Sequence, residues 1–157
     1  MIEISSAVEQ PAPDDTATSA FLTFRIEKQV FGLPLLSVED VLDVRPLTPI
    51  PLAPPEIAGA LNLRGRIITA IDMRNRMKLP HRAEGSRYMS IVVGHGDELF
   101  NLIVDSVGDV LHLPAATFEQ NPPTLDPLWR EFSEGVYRLD RDLMLVIDVP
   151  RLLTFDC

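Results

Sequence analysis

The chain has 157 residues, 14 of them proline, and a formal net charge of −9. A chain of this length forms one domain or two tight subdomains, and it can bury a core without a disulfide or a metal. The negative charge argues against binding to nucleic acid or to an anionic membrane surface. The single cysteine, Cys157, excludes a disulfide framework and a cysteine-based zinc site within one chain.

The N-terminal residues 1–19 are small, polar and proline-containing, which predicts a disordered tail. They lack the basic start and apolar middle of a signal peptide, and no stretch approaches the roughly 20 apolar residues that span a bilayer. We therefore expect a cytoplasmic protein whose folded part covers residues 20–157.

Strand patterns open each half of the chain. In the first half, the sequence alternates in polarity over 21–27 and continues after a polar turn with the apolar run 30–33. In the second half, a turn with Gly and Asp at 94–97 separates the β-rich runs 89–93 and 99–104. Each pair predicts a β-hairpin. A short helical turn is predicted next, at Ser37–Leu42 and at Ser106–Leu111, with Asp40 and Asp109 completing capping boxes. Further β-branched strands at 66–71 and 143–147 close the two halves.

The two helical turns belong to an internal repeat. Ser37–Leu42 and Ser106–Leu111 are identical at five of six positions with an offset of 69. A second block, at an offset of 76, pairs Gly59 with Gly135, Leu63 with Leu139, Ile71 with Ile147 and Asp72 with Asp148. Seven extra residues therefore lie between the blocks of the second copy, which we place in 114–130. The repeat predicts an all-β fold of two tandem five-stranded β-barrels, at roughly 20–80 and 86–157, with exchange of strands possible.

Catalytic and metal-binding patterns are absent from the sequence. The three histidines, His81, His95 and His112, have no partner at metal-ligand spacing. Asp72 and Asp148 could form a carboxylate dyad, but their equivalent positions after apolar strands favour capping of the following turn. We expect no enzymatic activity, no metal and no cofactor.

Positions that differ between the copies are the better functional candidates. Where the first copy has Asn62–Gly65, the second has Arg138–Arg141. Gly65 predicts a turn that needs positive φ, and Arg64 would project from it as a recognition anchor. The alternative is an ordinary surface arginine.

A second difference is the run 45–55, which contains five prolines and is therefore stiff and extended. One interpretation is that the run presents Leu47, Ile50 and Leu52 to a partner protein. The other is that it is a rigid connection between two strands, with these residues packed against the barrel.

The chain from about 21 to 153 resembles the CheW family of chemotaxis adaptors and the related regulatory domain of the kinase CheA. The motifs that carry this resemblance are Phe24 through Leu33, Ser37–Val41, Pro51–Pro55, Gly59–Gly65, Ile71–Arg74 and Val104–Leu111. The resemblance implies two SH3-like β-barrels and a non-catalytic adaptor that couples chemoreceptor signalling tips to a CheA-type histidine kinase. A helix-in-groove contact between the barrels would hold the helical hairpin tip of the receptor.

Residue roles follow from the resemblance as well. It implies receptor contacts at Val38, Asp40, Arg64, Asn101, Val107 and Val110. It implies contacts with the kinase regulatory domain within 44–52, at Val44, Arg45, Leu47, Ile50 and Leu52. The loop Asn121–Arg130 with Trp129 has no close counterpart in the family pattern.

Alternatives remain for the function. One is an adaptor of a related pathway, such as surface sensing or pilus control. A small β-barrel enzyme or nucleic-acid binder is disfavoured by the negative charge, the missing catalytic residues and the missing aromatic–basic strand pattern.

Overall fold

The computed structural model of the protein describes residues 17–43, 45–81, 83 and 85–154. Within these ranges the chain forms ten β-strands and three four-residue helices, joined by turns and two short 3-10 segments. The strands are β1 (Thr18–Ile26), β2 (Gln29–Pro34), β3 (Val38–Leu42), β4 (Ile57–Leu63), β5 (Arg66–Asp72), β6 (Met89–His95), β7 (Glu98–Val104), β8 (Ser106–Pro114), β9 (Ser133–Arg138) and β10 (Leu143–Ile147). The helices are α1 (Met73–Arg76), α2 (Pro127–Arg130) and α3 (Val149–Leu152), and the 3-10 segments are Leu35–Ser37 and Ala115–Thr117.

The ten strands form two five-stranded sheets. Sheet A has the order β9-β10-β2-β1-β8, and sheet B has the order β3-β6-β7-β5-β4. Each sheet therefore takes a hairpin from one half of the chain and three strands from the other half. The contiguous ranges 20–80 and 86–157 do not each correspond to one sheet.

Strand pairing confirms the duplication. In sheet A, β2 pairs with β10 in parallel, with Phe31 opposite Leu145. In sheet B, β7 pairs with β5 in parallel, with Phe100 opposite Thr69. Phe31 and Phe100 are 69 residues apart, and Thr69 and Leu145 are 76 apart, so the two offsets of the sequence repeat map one sheet onto the other.

Each sheet closes into a barrel through the segment that follows its edge strand. Thr48 bridges Ala60 of β4, and Glu119 bridges Val136 of β9. We call the closed sheets barrel A and barrel B. Gly59 permits the closure of barrel B, because its φ is +151° and a Cβ there would lie 2.8 Å from the Thr48 carbonyl oxygen.

A shared core joins the barrels. Buried side chains from both sheets form one large cluster, which we call the central core; it includes Phe24, Phe31, Ile71, Ile91, Leu102, Leu145 and Ile147. Two smaller clusters belong to one sheet each, one in barrel B around Ile68 and Val92 and one in barrel A around Tyr137 and Met144. The halves of the chain are thus held together by apolar burial as well as by strand pairing.

The predicted helical turns are wrong, because both segments are strands. On β3, Val38 and Val41 lie opposite Val93 and Ile91 of β6, so three steps along β3 match two along its partner. This mismatch is a β-bulge, which places an extra residue in one strand. The bulge puts Val38 and Val41 on one face of β3, although they are three residues apart. Two apolar residues three apart also share one face of a helix, which is why the sequence pattern indicated a helical turn.

The second copy contains the same bulge. On β8, Val107 and Val110 lie opposite Phe24 and Leu22 of β1, again with three steps against two. Gly108 lies within this bulge, where a Cβ would come within 2.6 Å of the Thr23 hydroxyl oxygen. Valine favours strands, and the tertiary pairing overrides the capping-box pattern.

The predicted turn caps are confirmed. The Asp72 carboxylate accepts a hydrogen bond from the Arg74 amide at the start of α1, and the Asp148 carboxylate accepts one from the Arg151 amide at the start of α3.

Thr18 and Ser19, which the sequence placed in the tail, begin β1. Residues 1–16 of the predicted tail lie outside the described residues. No helix within the described ranges is long and apolar enough to cross a membrane.

Candidate functional site

Arg64 projects from the tight turn between β4 and β5. The turn is held by the Asn62 side-chain oxygen, which accepts a hydrogen bond of 2.9 Å from the Gly65 amide. Arg64 has φ of 51° and Gly65 has φ of 85°, so the chain passes through the left-handed region at both residues, as expected for Gly65. The Arg64 side chain is 76% exposed, which leaves most of its donors accessible to a partner.

The Arg64 guanidinium donates to the Asp40 carboxylate on β3, at 3.2 Å. β3 and β4 are the two edge strands of sheet B, so this ion pair spans the seam where barrel B closes. The structure thus brings together two of the predicted receptor-binding residues. Because the pair is exposed, it contributes little to stability and leaves Arg64 able to exchange Asp40 for another carboxylate.

Three predicted valines lie around the central core. Val38 and Val107 occupy equivalent positions, and both are half-buried against this core. Val110 is 41% exposed and lies on the same face of its strand as Val107. The bulged strands therefore present apolar side chains from both barrels beside one shared core.

Val41 belongs with these valines and was missed by the sequence prediction. It is 36% exposed and is the equivalent, 69 residues earlier, of Val110. The bulge turns it to the same face as Val38. The internal repeat could have identified Val41, because Val41 is the counterpart of Val110, which is a predicted receptor contact. We call the set Val38, Val41, Val107 and Val110 the valine surface.

Asn101 differs from the other predicted receptor contacts in being buried inside barrel B. It is 2% exposed and sits on β7 between Ala70 and Val92, whose side chains line the interior of barrel B. Its side-chain oxygen has no hydrogen-bond partner among the described residues. Its assignment to the receptor surface stays a prediction, and a direct contact would require the barrel to open.

The predicted kinase contacts separate into two groups. Leu47 packs against the barrel B cluster and lies beside Gly59, so it serves as part of the crossover. Arg45, Ile50 and Leu52 are exposed, and Leu52 projects fully with φ of 63°. Val44 lies outside the described residues. The crossover interpretation of the proline run thus holds for Leu47, and the offer of Ile50 and Leu52 to a partner stays a prediction.

The family model described as "CheW-like domain" matches residues 20–156. The chain belongs to this family. Among relatives, a "Probable chemotaxis protein CheW" of Rhizobium etli is 27% identical over 133 residues, covering 85% of this chain and 86% of the relative. The "Protein PilI" of Pseudomonas aeruginosa is 27% identical over 132 residues, covering 83% and 74%.

Among solved structures, the "scaffolding protein TtCheW" of Thermoanaerobacter tengcongensis matches with a TM-score of 0.79 and 28% identity. The match covers 88% of this chain and 94% of that one. The two SH3-like barrels expected from the sequence are therefore the fold of this CheW-like chain.

The Ile71–Arg74 motif of the CheW-like chain has a structural role. Arg74 donates to the Asp105 carboxylate at 3.0 and 2.6 Å and to Glu27 at 3.2 Å. Asp105 also accepts the Glu27 amide at 2.7 Å. The hydrogen bond with Asp105 raises the pKa of the Arg74 guanidinium, although burial acts against it. This network fastens the β1–β2 turn of sheet A to α1 and the end of β7.

Trp129 lies on α2 and is half-buried against the central core, with its ring 5.8 Å from that of Phe31. Asp126 caps α2 by accepting the Leu128 amide at 2.8 Å. The extra segment of the second copy is therefore anchored on barrel A.

Within the described part of the chain, no group of three His, Cys, Asp or Glu side chains could hold a metal ion.

Proposed function

We propose that this CheW-like chain is a non-catalytic chemotaxis adaptor that couples chemoreceptor signalling tips to a CheA-type histidine kinase. Membership of the family supports the proposal, as do the chemotaxis protein of Rhizobium etli and the scaffolding protein of known structure. The proposed partners place the chain in the cytoplasm, recruited to membrane-associated receptor arrays.

The observation that carries the receptor-binding proposal is the valine surface beside an exposed arginine. An amphipathic helix can lay its apolar face against Val38, Val41, Val107 and Val110. A carboxylate on that helix can then replace Asp40 as the partner of Arg64, whose planar donor group loses little freedom on binding. Apolar contact supplies affinity, and the ion pair sets the register.

The kinase regulatory domain is proposed to contact the exposed part of the proline run. Ile50 and Leu52 project from a chain stiffened by Pro49 and Pro51, so presenting them costs little conformational entropy. Arg45 is exposed on the same segment. Leu47 supports this surface from beneath.

The receptor surface is tested by Arg64→Ala, measured as binding to a receptor-tip fragment. We expect roughly tenfold weaker binding, because a central arginine anchor contributes on the order of 1–2 kcal/mol or more. The thermal unfolding temperature should hardly change, since the lost ion pair is exposed. Arg141→Ala, which removes an exposed arginine from the β9–β10 turn, is the matched control. Wild-type affinity in Arg64→Ala would contradict the role of this residue.

An adaptor of a related pathway, such as surface sensing or pilus control, is the second candidate, and the match to Protein PilI favours it. Deletion of the gene separates the two. Loss of directed swimming supports the chemotaxis adaptor, whereas loss of surface motility with normal swimming supports the second candidate.

A further inference from the structure

The two barrels differ at their seams. In barrel B, Arg64 on the β4–β5 turn and Asp40 on edge strand β3 form an ion pair. The equivalent residues in barrel A are Asp140 on the β9–β10 turn and Asp109 on edge strand β8. Two carboxylates repel each other, so this seam has no ion pair to bridge it. Neither carboxylate has a hydrogen-bond or ion-pair partner among the residues the structure describes.

A cleft lies along the unbridged seam of barrel A. It consists of two adjoining cavities of about 290 and 550 Å³, which share Leu111, Leu139 and Asp142 in their walls. Leu113 extends the apolar lining of the second cavity. Asp109 lines the first cavity and Asp140 the second. Three arginines lie in the walls. Arg25 is neutralised by Asp142 at 3.1 Å and Arg138 by Glu119 at 3.0 Å, and Arg141 is exposed on the β9–β10 turn.

The strand that borders the cleft has a free edge. In the part of the chain that the structure describes, β8 pairs with β1 on one side and with no strand on the other. The unpaired amides and carbonyls of such an edge are a template on which an extended peptide can add as a further strand. An occupant of this cleft would therefore meet backbone donors and acceptors, an apolar floor and two carboxylates.

We propose that the seam of barrel A binds an extended, basic segment of a partner protein by strand addition to β8. Apolar side chains of the segment pack on Leu111, Leu113 and Leu139, and lysine or arginine side chains pair with Asp109 and Asp140. The negative charge of the whole chain, −9, favours the approach of such a segment. The side chains of this site and those of the valine surface lie on opposite faces of β8, because Leu111 lies opposite Phe21 of the barrel A cluster, whereas Val107 and Val110 lie opposite Phe24 and Leu22 of the central core.

Peptide titration of the full chain, followed by amide chemical shifts, tests the proposal. The probe is a peptide of about eight residues that alternates lysine and valine, which is within the usual range of strand lengths. We expect shifts concentrated at 108–113 and 139–142, and weakening of the binding by salt. The same peptide with glutamate in place of lysine should not bind.

A variant that copies barrel B supplies the decisive comparison. Asp140→Arg should pair with Asp109, bridge the seam and weaken binding of the lysine peptide by roughly tenfold. Asp97→Arg, at an exposed aspartate of the β6–β7 turn, makes the same change of charge in barrel B and should leave binding unchanged. The double variant Asp109→Asn, Asp140→Asn should also bind weakly if Asp140→Arg does not fold.

Several outcomes would overturn the proposal. These are equal loss in Asp140→Arg and Asp97→Arg, equal binding of the glutamate peptide, or shifts that avoid β8. Self-association of the protein through β8, detected by sedimentation equilibrium, would identify a second copy as the occupant instead. Receptor binding should be normal in Asp140→Arg, so failure here is distinguishable from failure of the proposed receptor surface.

Discussion

Arg76 is a buried arginine whose hydrogen bonds cross from one half of the chain to the other. It is 5% exposed, and its Nε donates to the Leu152 carbonyl at 2.9 Å. A further donor reaches the Thr154 carbonyl at 3.3 Å, and the guanidinium lies 5.2 Å from the centre of the Phe132 ring. Burial lowers the pKa of Arg76, while Glu131 and Glu56 act in the opposite direction. The Arg76 guanidinium thus caps the C-terminal end of α3 by donating hydrogen bonds to its carbonyl groups.

Arg76→Met tests this role. Methionine fills similar volume but leaves the carbonyls of Leu152 and Thr154 without their donor, so we expect a loss of about 2–4 kcal/mol in the free energy of unfolding. Chemical denaturation measures it. Arg141→Met, on an exposed turn, should stay within about 0.5 kcal/mol of wild type. Equal stability of Arg76→Met and wild type would show that the cap is dispensable.

Glu134 gives the stability a pH dependence of known sign. Partial burial raises the pKa of its carboxyl, Asp148 raises it further, and Arg151 lowers it. The folded chain therefore holds this proton more tightly than the unfolded chain, and the contribution of Glu134 to stability falls as pH rises above about 4.3. Because the residue is exposed, the effect is within about 0.5 kcal/mol.

Glu134→Gln should consequently be slightly more stable than wild type at pH 7, and the difference should disappear as the pH falls below about 4. Thermal unfolding over this pH range measures it. Glu98→Gln, an exposed glutamate of β7, controls for the loss of one negative charge. A wild-type chain that is more stable than Glu134→Gln at pH 7 would contradict the assigned sign.

The bulged strands show where sequence patterns stop being informative at the scale of elements. Alternation along β1, the β-rich run of β6 and the turns that follow them predicted both hairpins correctly, because these signals are local. The spacing of Val38 and Val41 fits a helix and a bulged strand equally well. Pairing with β6 decides between them, and that pairing joins residues about 50 positions apart.

The crossover after β3 depends on a close approach that only glycine permits. Gly59→Ala would place a Cβ 2.8 Å from the Thr48 carbonyl oxygen at φ of +151°, so we expect a loss of about 1–3 kcal/mol. Gly96→Ala also has positive φ but meets no heavy atom within 4 Å, so it should cost less, about 1 kcal/mol. The denaturant midpoints of the two variants compare their stabilities directly. A smaller loss of stability in Gly59→Ala than in Gly96→Ala would contradict the close approach of residue 59 to the Thr48 carbonyl.

For the molecule as a whole, the repeat predicted two barrels but not how they are built. The offsets of 69 and 76 reveal two copies, whereas the exchange of hairpins between sheets depends on long-range pairing of β2 with β10 and of β5 with β7. For the site, Gly65 correctly indicated the turn that carries Arg64. The inward positions of Leu47 and Asn101 could not be predicted, because they depend on which face of the closed barrel each strand presents.

The barrel asymmetry gives the two seams different chemistry. One copy has a cation and a carboxylate in contact, and the other has two carboxylates beside a cleft. Duplication supplied two equivalent seams, and the difference at one position, Arg64 against Asp140, leaves one seam bridged by an ion pair and the other unbridged. An adaptor that joins different proteins needs such unlike surfaces on one rigid body.

Co-sedimentation with a receptor-tip fragment and a CheA-type kinase fragment tests the central claim most directly. We predict that the chain carries the kinase into the receptor pellet, that omitting the chain leaves the kinase in solution, and that Arg64→Ala reduces the ternary assembly while Arg141→Ala does not. Absence of kinase from the pellet with folded wild-type protein would contradict the adaptor function.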